Sequence, residues 1–451
     1  MKINRFLSVL LIVINFSLIF CKNIVIADDD ILDIPEFPDI SSRYVVVMDA
    51  DSKEVLYSSN PDTRCYPAST TKILTGLITI ENKSLDDTVT FSENAVKSLS
   101  YGDANASISV GETLTIEQAL YCLLLRSANE VAYGLAEEVA GSVSAFASLM
   151  NNKAESIGAV NTHFTNASGL SDSFHYTTPY DMALIASECF NSSELMKITG
   201  YSGVYMIGPT NKSDFTRYYK HRYEMLKGGE YEYKYSCGGK TGYTDEAGNC
   251  LVSFAQKDDI RLVCVIFNSE SDTRYYDTEK LFDYYLNNYH KVSIDKYDDL
   301  LSGQNVDLMN LTSQLDNKNI TLGFKDNAYL LVPHSVNPDE LTTIVTYHDS
   351  PAYTGEKDGF ACITFFYQNT NVGNATLFIK TPDINTKLPG TDGVVQSGQD
   401  YKITKGEYKF INIWHIIGIS LLVISIITIT VLALVSRKRH SSNYRSSKLR
   451  F

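Results

Sequence analysis

Apolar and polar positions change their period along the chain, and each change marks an element. Tyr44-Val45-Val46-Val47-Met48, a polar turn at Asp51-Ser52 and Glu54-Val55-Leu56-Tyr57 predict a hairpin over residues 43–58. From Ser69 the period lengthens, with Ile73, Leu74, Leu77 and Ile78 at helical spacing. Thr115, with Gln118 three residues on, has the form of a capping box and opens a helix through Ala119, Leu120, Leu123 and Leu124. Thr178-Pro179 with Asp181 supplies a cap, a proline at the first helical position and an acid in the first turn, for a helix reaching about Cys189. Two late strands, 249–255 and 261–267, are joined by polar Lys257-Asp258-Asp259. Strands at both ends with helices between predict an α+β fold whose N- and C-terminal strands share one antiparallel sheet.

Past residue 295 the texture shifts to short alternating stretches, 328–332, 341–347 and 360–366, separated by Asn, Asp, Gly and Pro. They predict a small all-β domain over 295–385. Residues 386–409, rich in Gly, Thr and Asp, form a spacer. Residues 410–436 carry no charge and are mostly Ile, Leu or Val, long enough to cross a hydrocarbon core of ~30 Å as a helix. Arg437, Lys438, Arg439, Arg445, Lys448 and Arg450 then mark 437–451 as a cytoplasmic tail by the positive-inside rule. At the other end, Lys2, Arg5, an apolar run and a small residue at Ala27 predict a secretory signal over 1–27. The main domain is then 28–294, outside the cell, on a chain held by one membrane helix.

Composition changes the picture in two places. Of 451 residues, 44% are hydrophobic and 20% charged, which excludes wholesale disorder. The formal charge is −14. Without the nine bases of the leader and tail, 30 bases face 53 acids, a formal −23, which argues against nucleic acid as a partner. The eight cysteines show no Cys-x-x-Cys pair and no zinc-type Cys/His cluster.

Three short stretches carry candidate chemistry. Ser69-Thr70-Thr71-Lys72 puts a hydroxyl and an amine on one face of a helix, where a desolvated lysine can take the serine proton. Alone, such a match is more often a capping serine beside a solvated lysine. Ser127-Ala128-Asn129 places a hydroxyl and an amide two apart at a helix break, suited to proton relay and amide binding or to capping. Cys237-Gly238-Gly239-Lys240-Thr241-Gly242-Tyr243-Thr244 reads as a glycine-rich approach to a strand pair, or as a tight turn. Lys240 and Thr241 there can pin a carboxylate, and Gly242 lets a ligand pass close to the backbone.

In this order, Ser-x-x-Lys, Ser-x-Asn and Lys-Thr-Gly resemble the signature of the penicillin-recognising serine enzymes. The runs Asn166-Ala167-Ser168-Gly169-Leu170 and His175-Tyr176-Thr177-Thr178-Pro179-Tyr180-Asp181-Met182-Ala183 extend the likeness to low-molecular-weight penicillin-binding proteins, specifically the serine D-alanyl-D-alanine carboxypeptidases. The resemblance covers about residues 40–290 and implies a β-lactamase/DD-peptidase-like domain. It also implies that Ser69 is the nucleophile, Lys72 its base and Ser127 the proton relay. Asn129, Lys240, Thr241, Gly242 and Tyr243 become substrate contacts, with the backbone N–H groups of Ser69 and Tyr243 as the oxyanion hole. The implied partners are a peptidoglycan stem peptide and β-lactams, with no metal and no cofactor. Where the family has an Asn-x-Asn stretch this chain has His221-Arg222-Tyr223, so Arg222 is the candidate second carboxylate contact. Cys65 and Cys237 lie near the motifs and raise the idea of a redox-sensitive site. A class A-like β-lactamase and a non-catalytic penicillin-binding wall scaffold are the alternatives.

Overall fold

The computed structural model describes residues 36–294, 321–325, 328–348, 355 and 359–380. The expected signal, spacer, apolar span and basic tail lie outside the described residues. Among those described, no helix is long and apolar enough to cross a membrane.

β1 (Tyr44–Asp49) is apolar at consecutive positions because both faces of its sheet are covered. Val46 and Met48 join one core, Val45 and Val47 the other. Asp49 holds the turn that follows, its Oδ1 accepting the Ser52 N–H at 2.7 Å, and β2 (Val55–Ser59) completes the expected hairpin. A 3₁₀ turn at Ala68–Thr71 then leads into α1 (Lys72–Asn82). β3 (Thr88–Thr90), α2 (Glu93–Lys97) and β4 (Thr113–Thr115) follow, β3 pairing with β4. The Thr115–Gln118 capping box forms in full and opens α3 (Ile116–Tyr121), which passes into a π turn over Cys122–Arg126. α4 (Asn129–Ala140), α5 (Val143–Ser156), α6 (Pro179–Phe190) and α7 (Ser193–Thr199) finish the helical layer. Thr178 caps α6 by accepting the Asp181 N–H, as its sequence predicts.

A ribbon of β5 (Val204–Ile207) and β6 (Arg217–Lys220) leads to β7 (Ser236–Thr244), β8 (Gly248–Lys257), β9 (Ile260–Ser269) and α8 (Thr273–Asn288). The main sheet runs β2-β1-β9-β8-β7 and is antiparallel throughout. First and last strands thus pair as expected, Val46 opposite Val265. α6 packs on β1 and β9 from one side, α8 on β8 and β9 from the other. The stretch at 237–244, whose Lys-Thr-Gly was expected on a strand with a tight turn as the alternative, is the body of β7. Three glycines still extend as a strand because β8 supplies the ladder, Lys240 opposite Val252.

The last strands form the all-β part. β10 (Tyr289–Ser293) follows α8 directly and pairs with β12 (Tyr329–Pro333). β11 (Thr321–Gly323), β13 (Thr342–Tyr347), β14 (Ala361–Tyr367) and β15 (Thr370–Lys380) form a second sheet in the order β11-β15-β14-β13. Val292, Leu330, Val332, Ile363 and Phe365 build its own core. No disulfide forms among the described cysteines, and Cys122, Cys189, Cys250 and Cys264 are buried.

Candidate active site

The edge strand β7, the 3₁₀ turn before α1, the π turn before α4 and the loop at 166–170 meet at one place. A 3₁₀ turn has three residues per turn, so Ser69 stands directly over Lys72. Lys72 Nζ donates to Ser69 Oγ at 3.0 Å, to Asn129 Oδ1 at 2.7 Å and to the Ser168 carbonyl. The lysine is fully buried, and this burial is the main force pushing its amine down to about 7. Glu130 and Asp103 work against that fall, and the Arg222 charge adds to it.

Ser127 takes a left-handed conformation, φ 63°, which ends the π turn and aims its hydroxyl across the cleft. Lys240 Nζ, from β7, donates to Ser127 Oγ at 3.0 Å and to the Thr241 carbonyl at 2.8 Å. Burial, followed by the charges of Lys72, Arg222 and Arg274, holds the Lys240 amine well below the usual ammonium range. Two lysines, two hydroxyls and one amide therefore lie in one cleft as two hydrogen-bonded groups, Ser69–Lys72–Asn129 and Ser127–Lys240.

Two glycines allow this closeness. A Cβ on Gly242 would lie 3.0 Å from both the Ser69 nitrogen and the Pro67 carbonyl oxygen, so β7 runs flush against the serine turn. Gly169 has φ +80°, and a Cβ there would sit 1.8 Å from the Ala68 carbonyl oxygen. Asn166 Oδ1 shapes that loop by accepting the N–H groups of Ser168 and Gly169 at 3.1 and 2.8 Å. His175 fixes the other side. Its Nδ1 accepts the Thr165 N–H at 3.2 Å, so Nε2–H faces Thr71 Oγ1 at 3.0 Å, and burial pushes the ring down to about 4.

The remaining candidates lie at the rim or behind the site. The Tyr243 side chain is 62% exposed, with its hydroxyl on Asp245 Oδ1 at 3.1 Å, while its backbone stays in β7. Arg222 is exposed, its backbone N–H reaches the Leu125 carbonyl at 3.3 Å, and its charge is felt by both lysines. Buried Tyr223 packs beneath Gly239, its hydroxyl 3.1 Å from Ser236 Oγ, so aromatic packing replaces the asparagines expected there. Burial pushes the Cys65 thiol up to about 11 and raises Cys237 as well, which favours the protonated thiol over the thiolate at both. Sequence reasoning missed the Ser168 carbonyl as a lysine partner. It also missed Glu130, whose only signal was its place directly after Asn129.

A family model described as D-alanyl-D-alanine carboxypeptidase matches residues 32–271, more than half of the chain. The D-alanyl-D-alanine carboxypeptidase DacF of Bacillus subtilis is 32% identical over 235 residues, which cover 51% of this chain and 58% of that protein. DacC of Escherichia coli is 28% identical over 256 residues, covering 54% and 61%. The match thus spans less than two thirds of either relative. Among solved structures, the Streptomyces K15 DD-transpeptidase superposes with a TM-score of 0.51 at 28% identity, over 55% of this chain and 98% of that one. The carboxypeptidase DacD of Francisella tularensis reaches 0.59 at 24% identity, covers 78% of this chain and 95% of its own, and shares the fold.

Proposed function

Because this chain belongs to the D-alanyl-D-alanine carboxypeptidase family, we propose that it removes the terminal D-alanine from peptidoglycan stem peptides through an acyl-enzyme on Ser69. The observation that carries this reading is the pair of 3.0 Å contacts, Lys72 to Ser69 and Lys240 to Ser127, inside one buried cleft. With its amine lowered to about 7 by burial, Lys72 has an unprotonated form within reach at neutral pH, as a general base must. It takes the Ser69 proton as Oγ attacks the penultimate carbonyl. The oxyanion falls between the backbone N–H groups of Ser69 and Tyr243, and losing such a donor typically costs about 10²–10³ in rate. Ser127 passes a proton to the leaving amine and is resupplied through Lys240. Water then hydrolyses the ester.

Lys240, Thr241 and Arg222 receive the chain-end carboxylate, and Asn129 orients the substrate amide. An arriving carboxylate favours the proton on Lys240 that burial and cationic neighbours disfavour, so binding and charging are coupled. A β-lactam acylates the same serine and leaves slowly. Intact mass with benzylpenicillin tests the assignment: one adduct on the wild type, none on Ser69→Ala, and D-alanine released from a stem-peptide mimic by the wild type alone. An adduct that survives Ser69→Ala refutes it. Rapid penicillin turnover favours the β-lactamase alternative, and acylation without D-alanine release favours the scaffold.

The same proposal places the protein outside the cell. The 1–27 leader exports it, residues 410–436 anchor it as a single span, and the basic tail stays in the cytoplasm.

A further inference from the structure

Glu130 is 1% exposed, at the start of α4 beside Asn129. Its Oε1 accepts the N–H groups of Ala106 and Ile108 at 2.7 and 3.4 Å, while Oε2 is buried without a partner. The segment it grips is the wall behind the cleft. The Ala104 carbonyl accepts the Asn129 N–H at 2.9 Å, Arg126 Nε donates to the Asn105 carbonyl at 3.2 Å, and the Tyr219 hydroxyl donates to the Ala106 carbonyl at 2.7 Å. A neutral glutamine would hold two backbone N–H groups equally well. A buried carboxylate with one unpaired oxygen is costly, so its charge calls for a reason beyond loop-pinning. Burial raises the Glu130 carboxyl above the usual carboxylate range, while the backbone N–H groups it accepts and the charge of Lys72 work to keep it ionised.

We propose that Glu130 is a positioning residue of this site: it ties the 104–108 wall to the turn carrying Ser127 and Asn129, and its charge supports the proton on Lys72 between catalytic steps. The role rests on the carboxypeptidase reading for its catalytic meaning, but not for its electrostatics. Cys122 on the π turn and Tyr219 on β6 lie in the field of Glu130, and Arg217 and buried Glu112 lie in turn in the field of Cys122. Cys122 and Tyr219 stay neutral because burial raises both. Arg217 is taken by Glu112 in an ion pair. Lys72 is faced in turn by Asp103, Arg222, Lys240 and His175, none of which Glu130→Gln removes.

Two readouts on the full-length chain test this. In spectra of ε-¹³C-lysine protein, with the Lys72 signal assigned by Lys72→Arg, the Lys72 midpoint falls in Glu130→Gln by roughly half a unit or more. The acid limb of the benzylpenicillin acylation profile moves to lower pH by the same amount. Glu130→Asp keeps the charge and shortens the reach, so its midpoint and limb stay at the wild-type pH while amide exchange at Ala106 quickens. A Glu130→Gln midpoint coincident with the wild type, or an equal displacement in Glu130→Asp, overturns the proposal. If the wild type takes no penicillin at any pH, the carboxypeptidase reading fails, and the lysine titration still decides the role of Glu130.

Discussion

Replacing Gly242 by alanine adds one methyl group, and the structure says where it goes. The new Cβ lies 3.0 Å from the Ser69 nitrogen, 3.0 Å from the Pro67 carbonyl oxygen and 3.1 Å from Ala68 Cβ. Ordinary van der Waals contact for such pairs begins near 3.4 Å, so relief takes several tenths of an ångström. None of the three obstacles is the end of a flexible side chain. Two are backbone atoms of the serine turn, and β7 is tied to β8 on its other side, with Gly242 opposite Cys250. The turn and the strand must therefore separate, which costs about 1–3 kcal/mol of stability as overpacking. The cost to chemistry is larger. The Ser69 N–H is one proposed oxyanion donor and the Tyr243 N–H the other, so the methyl both crowds the first and spreads the pair. Loss of one donor corresponds to about 10²–10³ in acylation rate. The assay is acylation by benzylpenicillin under single-turnover conditions, with thermal unfolding alongside. Gly208→Ala is the control, because a Cβ there meets nothing within 4 Å. Gly242→Ala protein that stays folded and acylates within about threefold of the wild type would refute the oxyanion assignment.

Two further predictions concern pH. Acylation of Ser69 should rise through pH 7, where Lys72 loses its proton, and fall about tenfold per unit well below it; a flat profile from pH 5 to 8 removes Lys72 as the base. His175 should make the fold acid-sensitive. The folded ring takes its proton only near pH 4, the unfolded one near 6.5, so the unfolded state binds more protons between these values. This contribution to stability is intact above pH 6.5 and falls as the pH drops, by roughly 3 kcal/mol at pH 4. Thermal unfolding from pH 8 to 4 should show a shallower acid loss for His175→Gln than for the wild type, and parallel curves would discard the idea.

What could be read in the sequence was whatever residue identity encodes. The β1–β2 hairpin, the Thr115 capping box and the Thr178-Pro179 start each rest on side chains that act within a few positions of themselves, and each formed as expected. The motif residues Ser69, Lys72, Ser127, Asn129 and Lys240, which the fold brings into one cleft, stood out because only a hydroxyl, an amine or an amide can do the chemistry proposed for them. The parts that stayed hidden depend on backbone groups or on long-range closeness. A carbonyl carries no residue signature, so Ser168 could not be seen as a partner of Lys72 across 96 positions. Glu130 looked like any acid in the first turn of a helix, where it would be expected on dipole grounds alone. Only the fold shows that its carboxylate points back onto residues 106–108. Glycines 238, 239 and 242 left a tight turn open as the alternative to a strand, because glycine is a poor strand former by itself. Each faces something a side chain would strike, Thr199, Tyr223 and the Ser69 turn in order, and Gly238 also takes φ +145° at a register shift, so the composition of β7 is set by what packs on it and, at Gly238, by the backbone as well. The same argument explains why the candidate cleft lies along the sheet edge: Gly242 leaves β7 bare where the serine turn lies against it, while Lys240, two residues earlier, reaches across to Ser127.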